Sequence, residues 1–255
     1  MKFKIRLEVL RHRFGNVLPI NYQYELSSAI YHILSEADTE YSTWLHENGF
    51  ESQSDGKRFK LFCFSNLNVP NFRIQRDRLI IESQYVDWYL SFLPENSTQK
   101  FIEGVFRNQI FQIGDIYSTV EFAVRDIQIL QAIAYEPEMS FGTLSPICVG
   151  YHELDTTTTY LSPQSSNYEE ALLAGLVSRY EAFYGKPYTG ERYCRLRLLS
   201  APKSKLVVIK AHTPQQIKVR GYSYAFTLAL PEPLMHIAYE SGLGEKTSMG
   251  FGMIK

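Results

Sequence analysis

Cysteine is scarce: three residues in 255, Cys63, Cys148 and Cys194, far apart and without paired spacing. That excludes a zinc-finger signature and a disulfide framework, and the expected compartment is a reducing cytoplasm. No apolar run approaches the roughly 20 residues a membrane-spanning helix needs. Met1-Lys2-Phe3-Lys4 opens straight into an alternating pattern, with no apolar signal region. Net charge is also missing, −1 from 26 Lys+Arg and 27 Asp+Glu, so the chain as a whole gives no basic signal for nucleic acid. Neither G-x-G-x-x-G nor G-x-x-x-x-G-K-S/T can be read, which removes the common nucleotide-binding loops. No clustered His/Asp/Glu ligand set stands out, so no metal and no cofactor is expected.

What remains is ordinary in bulk and uneven in detail. Apolar content of 45% and charged content of 21% suit a soluble globular protein with room for two modest domains. The 18 tyrosines and 16 phenylalanines suit β-sheet surfaces and could supply base-stacking platforms. Before Phe141 there are 14 basic against 18 acidic residues, and from there on 12 against 9, so the second half is mildly basic.

Lys2 to Leu10 alternates strictly, Phe3, Ile5, Leu7 and Val9 against Lys2, Lys4, Arg6 and Glu8; this is a half-buried strand. Leu18-Pro19-Ile20-Asn21 precedes a helix over about Tyr22–Ser35, whose apolar stripe is Leu26, Ala29, Ile30, Ile33 and Leu34. At ~100° per residue, Tyr24, Ser27, Ser28, Tyr31 and Ser35 gather on the opposite side. Tyr31 is thus either a plain surface tyrosine or one presented on a face of small hydroxyls. A second helix over Thr39–Asn48 buries Ala37, Tyr41, Trp44 and Leu45 and turns His46 away from the core; Gly49 ends it. The polar loop Glu51–Lys57 leads to an expected strand Phe59–Leu67, with Lys60 sharing a face with Phe62 and Phe64. Arg78–Gln84 reads as a strand, Pro94–Arg107 as a helix, and Phe111–Asp115 as a turn into a long strand from Tyr117 to Leu130. This β-α-(α)-β-β-α-β order describes a ferredoxin-like unit over residues 1–138.

A second unit over 139–255 repeats the alternation: Leu144–Val149, the polar loop Asp155–Thr159, a helix Asn167–Tyr184, and strands Arg192–Ser200, Val207–His212 and Lys218–Leu230. A last helix starts at Pro231 or Pro233, where proline is welcome in a first turn, and a short strand Phe251–Ile254 follows. The fold class expected is α+β, two ferredoxin-like (βαββαβ, RRM-like) domains in tandem. Between the last helix and strand lies Gly242-Leu-Gly-Glu-Lys-Thr-Ser-Met-Gly-Phe-Gly252, four glycines in eleven residues. Such a turn can expose successive N–H groups as an anion cradle, with Lys246 beside it, or it can be a mere connection.

With both ends in view, the chain resembles the CRISPR-associated endoribonuclease family that cuts precursor CRISPR RNA into guide units. The resemblance rests on the whole segment Gly242–Lys255, on Leu18–Asn21 with Ser28–Tyr31, on Trp44–Glu47, on Phe59–Phe62 with Phe64-Ser65, and on Leu144–Ile147, all in order. It implies the tandem ferredoxin-like fold, metal-independent cleavage of repeat RNA, and a catalytic set of Tyr31, His46 and Lys60. The charged stretch before Lys60 leaves Lys57 or Arg58 as alternative cations. His12, His152, His212 and His236 read as solvated, and His32, beside Tyr31, is an alternative if that helix is turned by one residue.

RNA contact is expected from Gly242, Gly244, Lys246, Thr247, Ser248, Gly250 and Gly252, and from Arg192, Arg195, Arg197, Lys203, Lys205, Lys210, Lys218 and Arg220, interleaved with Tyr193, Tyr222 and Tyr224. The expected partner is precursor CRISPR repeat RNA, with other CRISPR surveillance-complex subunits beside it, no membrane, and a monomer or homodimer. A non-catalytic RNA-binding subunit of the same fold is the competing reading; a nucleotide-dependent enzyme of unrelated class is a more distant one.

Overall fold

The computed structural model describes residues 1–152, 158–211 and 213–255; His212, the His152 side chain and most of the loop expected at Asp155–Thr159 lie outside the described residues. Strand Lys2–Leu10 buries Phe3, Ile5, Leu7 and Val9 as its alternation requires, and on its wet face Lys4 and Arg6 reach Asp87 at 3.0 and 3.2 Å. It is the middle strand of a five-stranded antiparallel sheet ordered Phe62–Phe64, Tyr85–Phe92, Lys2–Leu10, Thr119–Ile129, Ile110–Gly114. Helices α1 (Gln23–Ala37) and α3 (Glu95–Arg107) pack together over one face, with α2 (Thr39–Glu47) beside α1. Gly104 permits the α1–α3 crossing, since a Cβ there would lie 1.8 Å from the Ile33 carbonyl oxygen. The layer between is aromatic: Phe62, Phe64, Trp88, Phe92, Phe101, Phe111 and Phe122 are buried, with ring centroids 5.3–6.5 Å apart. Such spacing adds directional ring contacts to the area buried.

Counting the four strands of the βαββαβ unit in chain order, the sheet runs 2-3-1-4, the ferredoxin-like order, with Ile110–Gly114 as an extra edge strand. The second half repeats it. Arg195–Leu198, Ala225–Ala229 and Glu138–Gly142 form strands 2-3-1, and Ile254 bridges Thr143 in the place of strand 4. Helices α4 (Tyr168–Tyr184) and α5 (Glu232–Ser241) bury Leu172, Leu176, Leu234 and Ile237 against this sheet. The chain is a tandem ferredoxin-like α+β protein.

Several elements differ from the sequence reading. Tyr85–Phe92 is a central strand that was not expected; the expected strand at Arg78 is only Arg78–Ile81, the middle strand of an outlying sheet between Val17–Pro19 and Phe72–Gln75. The run Phe59–Leu67 is interrupted because Leu61 takes φ +53°, leaving Arg58–Phe59 paired with Phe50–Glu51 and Phe62–Phe64 in the main sheet. Lys218–Leu230 is two strands, Ile217–Ser223 and Ala225–Ala229: the first pairs with Lys203–Ile209 in a separate hairpin, the second joins the sheet. The expected final strand contributes one bridge. Trp44, expected inside, is exposed and packs edge-on against Phe50.

Candidate active site

Helices α1 and α2 are joined through Asp38. It closes α1 and caps α2 by accepting from the Tyr41 N–H at 2.9 Å, while Lys100 from α3 holds its other oxygen at 2.5 Å. Ser42 Oγ donates to the Tyr31 carbonyl at 2.8 Å, fixing α2 across α1. This rigid pair brings Tyr31 and His46 together, ring centroids 5.0 Å apart and nearly perpendicular at 85°. His46 is exposed; Tyr31 is half-buried, its other side edge-on to Phe62 at 5.9 Å. The outward placement of Tyr31 is therefore partial. Burial raises the phenol above its ordinary range, so Tyr31 stays protonated and can donate a hydrogen bond but is a poor base.

Lys60 joins them from the other side. Its Nζ donates to the His46 carbonyl at 2.7 Å, at the C-terminal end of α2. Gly49 makes this approach possible: it sits at φ +69°, and a Cβ there would meet the Phe59 carbonyl at 2.5 Å and the Lys60 side chain at 3.1 Å. Partial burial, and then the nearby Arg58, lower the Lys60 ammonium below its usual range. The alternative cations are already engaged, Lys57 with Asp55 at 3.0 Å and Arg58 with Glu51 at 2.9 Å. His32 is exposed on a different side of α1, 3.5 Å from Glu36.

A cleft of about 570 Å³ runs from Lys60 to the glycine-rich loop. Lys57, Arg58, Lys60 and Lys246 supply positive charge, Glu245 one negative charge, and Ala171, Ala174 and Gly175 of α4 form a wall of small residues. Gly244, Lys246, Thr247 and Ser248 line it. Gly242, Gly250 and Gly252 do not: they are buried against protein. Gly252 takes φ +75° where a Cβ would lie 2.0 Å from the Leu243 carbonyl oxygen. Part of the glycine content is thus spent on the loop's own packing. Ser27, read as outward, is likewise buried, its hydroxyl donating to the Ser248 carbonyl at 2.7 Å and tying the loop to α1.

The basic residues of the second half do not form one face. Arg195 and Arg197 are exposed together on the three-stranded sheet, as their parity requires, with Arg195 over the Tyr193 ring at 5.8 Å. Lys218 and Arg220 share one face of the separate hairpin; Lys203 and Lys205 have the opposite parity, and burial lowers the Lys205 ammonium. Lys210 lies 5.6 Å over the Tyr24 ring on α1, and Arg192 is exposed, 3.4 Å from the Tyr188 carbonyl. Of the remaining histidines, His12 is exposed, whereas His236 is half-buried against Tyr135 at 5.5 Å and not simply solvated.

Residues 17–128 match the family model described as CRISPR-associated protein Cas6, N-terminal, and residues 130–255 match that of CRISPR-associated protein Cas6, C-terminal. The chain belongs to the Cas6 family. It is 29% identical to the CRISPR-associated endoribonuclease Cas6 1 of Methanocaldococcus jannaschii, over 98% of this chain and 91% of that one. A Cas6-related protein from Pyrococcus furiosus superposes with a TM-score of 0.83 at 26% identity, covering 100% and 97% of the two chains. A solved RAMP protein described as binding different RNA substrates gives 0.81 at 26% identity, covering 100% and 98%.

Two residues of this region escaped the sequence reading. Arg179 of α4 is buried, donates to the Gly242 carbonyl and lies 5.7 Å from the Phe59 ring. Glu181, also buried, accepts from the loop before Lys60. A signal existed for Arg179: it follows Leu172 and Leu176 on the same helical stripe, where a charge is out of place unless paired. Among the described residues no group of three or more His, Cys, Asp or Glu is placed to hold a metal ion, and no helix is long and apolar enough to cross a membrane.

Proposed function

We propose that this protein is a metal-independent endoribonuclease that cleaves precursor CRISPR RNA within its repeats and releases guide units. The observation that carries the reading is that the Tyr31–His46 ring pair is joined, through the His46 carbonyl, to Lys60, which lines a positively charged cleft shared with the glycine-rich loop. RNA brings its own nucleophile, the 2′-hydroxyl beside the scissile phosphate. The enzyme has to take that proton, hold the attack in line, stabilise the charge on the phosphorane and protonate the departing 5′-oxygen. His46, exposed at the site, serves as general base for the 2′-hydroxyl or as general acid for the departing 5′-oxygen, and water makes the complementary proton transfer. Tyr31 orients the 2′-hydroxyl or a phosphate oxygen by donating from its protonated phenol. Lys60 stabilises the phosphorane charge, a contribution whose loss costs about 10²–10³ in rate. The products are a 2′,3′-cyclic phosphate and a 5′-hydroxyl.

Lys246 and the backbone around Gly244 and Ser248 hold the phosphates of the bound strand along the cleft. The three free buried cysteines accord with a reducing, cytoplasmic setting. The test is cleavage of a repeat RNA in chelator. Wild type should cut and leave cyclic phosphate ends, and His46→Ala should lose at least about 10² in rate with RNA affinity nearly unchanged. Binding without cutting by wild type would favour the non-catalytic RNA-binding subunit. Cutting that needs a metal ion would overturn the proposed chemistry.

A further inference from the structure

The segment that carries Lys60 belongs to the first half in sequence and to the second half in packing. Leu61 lies in the second hydrophobic core with Phe141, Leu172, Leu176 and Phe226; Phe59 packs against that core, and Phe50 against both cores. Phe62 and Phe64 return to the first core, and the left-handed φ of +53° at Leu61 is the switch between the two. Tyr31 and His46 stand on α1 and α2, whose buried faces pack in the first core. The three groups therefore meet across the junction of the two halves.

The polar loop before Lys60 is fastened to α4 by several hydrogen bonds. Both Ser52 and Ser54 hydroxyls donate to Glu181 Oε2, the first at 3.3 Å. Ser178 Oγ donates to Asp55 Oδ2 at 2.8 Å, and Gln53 Nε2 to the Gly185 carbonyl at 3.0 Å. Glu181 accepts also from the Tyr188 N–H at 3.3 Å. No cation bridges Glu181 among the described residues; these hydrogen bonds, that of Ser54 foremost, hold its carboxylate below the usual range. A buried carboxylate satisfied only by neutral donors is costly to build without a reason of geometry. What those donors fix is the turn of the hairpin Phe50–Glu51/Arg58–Phe59, whose second strand leads to Lys60 on the His46 carbonyl.

We propose that Glu181 is a positioning residue for catalysis: through Ser52 and Ser54 it anchors the 52–57 loop to α4, and so holds the Lys60 ammonium on the His46 carbonyl, beside the Tyr31–His46 pair. The inference rests on the role given to Lys60 above. It also makes α4, whose Ala171, Ala174 and Gly175 wall the cleft, the element that links RNA seating to assembly of the catalytic set.

The test is a double-mutant cycle in single-turnover cleavage of a repeat RNA, with RNA affinity measured in parallel. Lys60→Ala should slow cleavage by about 10²–10³. Glu181→Ala should slow it by about 10–10², the cost of an ångström-scale misplacement, with affinity within about twofold of wild type. The double variant Glu181→Ala/Lys60→Ala should be no slower than Lys60→Ala, because a group that acts through Lys60 has nothing left to position. Should Glu181→Ala fail to fold, Ser54→Ala/Asp55→Ala loosens the same anchor from the exposed loop side and should give the same pattern. An additive cycle, or a full rate in the anchor variants, overturns the positioning role while leaving the endoribonuclease reading intact. An unchanged rate in Lys60→Ala would instead remove the role of Lys60, and the inference with it.

Discussion

Replacing Gly252 by alanine separates the two uses of glycine in the terminal loop. Gly185, the C-cap of α4, is the control: it sits at φ +63° and an added Cβ meets nothing within 4 Å. Its substitution costs only the left-handed backbone, about 1–2 kcal/mol, reduced by the entropy that alanine removes from the unfolded chain, about 0.4–1 kcal/mol. Gly252, at φ +75°, pays that and more, because its Cβ would stand 2.0 Å from the Leu243 carbonyl oxygen and 3.0 Å from Leu243 N. Neither neighbour is a flexible side chain. To separate, the two segments must lengthen the Leu243 N–H to Gly252 carbonyl bond of 2.8 Å and strain the Gly252 N–H to Pro146 carbonyl bond of 2.9 Å. Overpacking of about 1–3 kcal/mol and a weakened buried hydrogen bond of about 1 kcal/mol bring the total to roughly 2–6 kcal/mol. Urea unfolding followed by fluorescence of buried Trp88 and by far-ultraviolet circular dichroism should show a small midpoint shift for Gly185→Ala and a several-fold larger one for Gly252→Ala. Equal shifts would refute the argument that Gly252 is a packing residue and return it to the ligand-facing set.

Other perturbations follow from the same geometry. Glu25 on α1 is half-buried with Oε2 unpartnered, and burial raises its carboxyl to about 7 from 4.5. Its folded-state value lies above the unfolded one, so its stabilising contribution is complete below about pH 4.5 and is lost as pH rises through 7, up to about 3 kcal/mol in all. Glu25→Gln should flatten that part of the stability profile and raise the urea midpoint at pH 8; a profile unchanged by the substitution would contradict the assignment. Lys246→Ala should weaken repeat-RNA binding and reduce the slope of log affinity against log salt by about 0.7, the value for one phosphate contact on a single strand. An unaltered slope would show that Lys246 does not meet the backbone.

The fold and the candidate site were legible in the sequence unevenly. Strands with strict alternation, such as Lys2–Leu10, and helices with a clear apolar stripe could be placed from periodicity alone. Tyr85–Phe92 carries the same signal, with Val86, Trp88, Leu90 and Phe92 inward, but its proximity to the Arg78–Ile81 hairpin hid it. Leu61 could not be foreseen: a left-handed leucine has no local cause, and its reason is a core made mostly of residues about 80 or more positions later. For the same reason the loop before Lys60 read only as polar, since serine, glutamine and aspartate look alike whether they face water or α4. The face of His46 was readable from helix geometry, whereas Tyr31 is more enclosed than its hydroxyl-rich face suggests, because Phe62 comes from a different element. The basic residues were readable as pairs by strand parity but not as a set, because hairpin and sheet separate them in space.

The central claim is that the chemistry is attack by the RNA's own 2′-hydroxyl, managed by Tyr31, His46 and Lys60. It is tested most directly with two repeat RNAs that differ only by a 2′-deoxy substitution at the nucleotide just upstream of the cut, incubated with wild-type protein in chelator. The account predicts that the deoxy RNA binds with unchanged affinity and stays intact, while the all-ribose RNA is cut to a 2′,3′-cyclic phosphate and a 5′-hydroxyl. Cleavage of the deoxy RNA at the same position would contradict it.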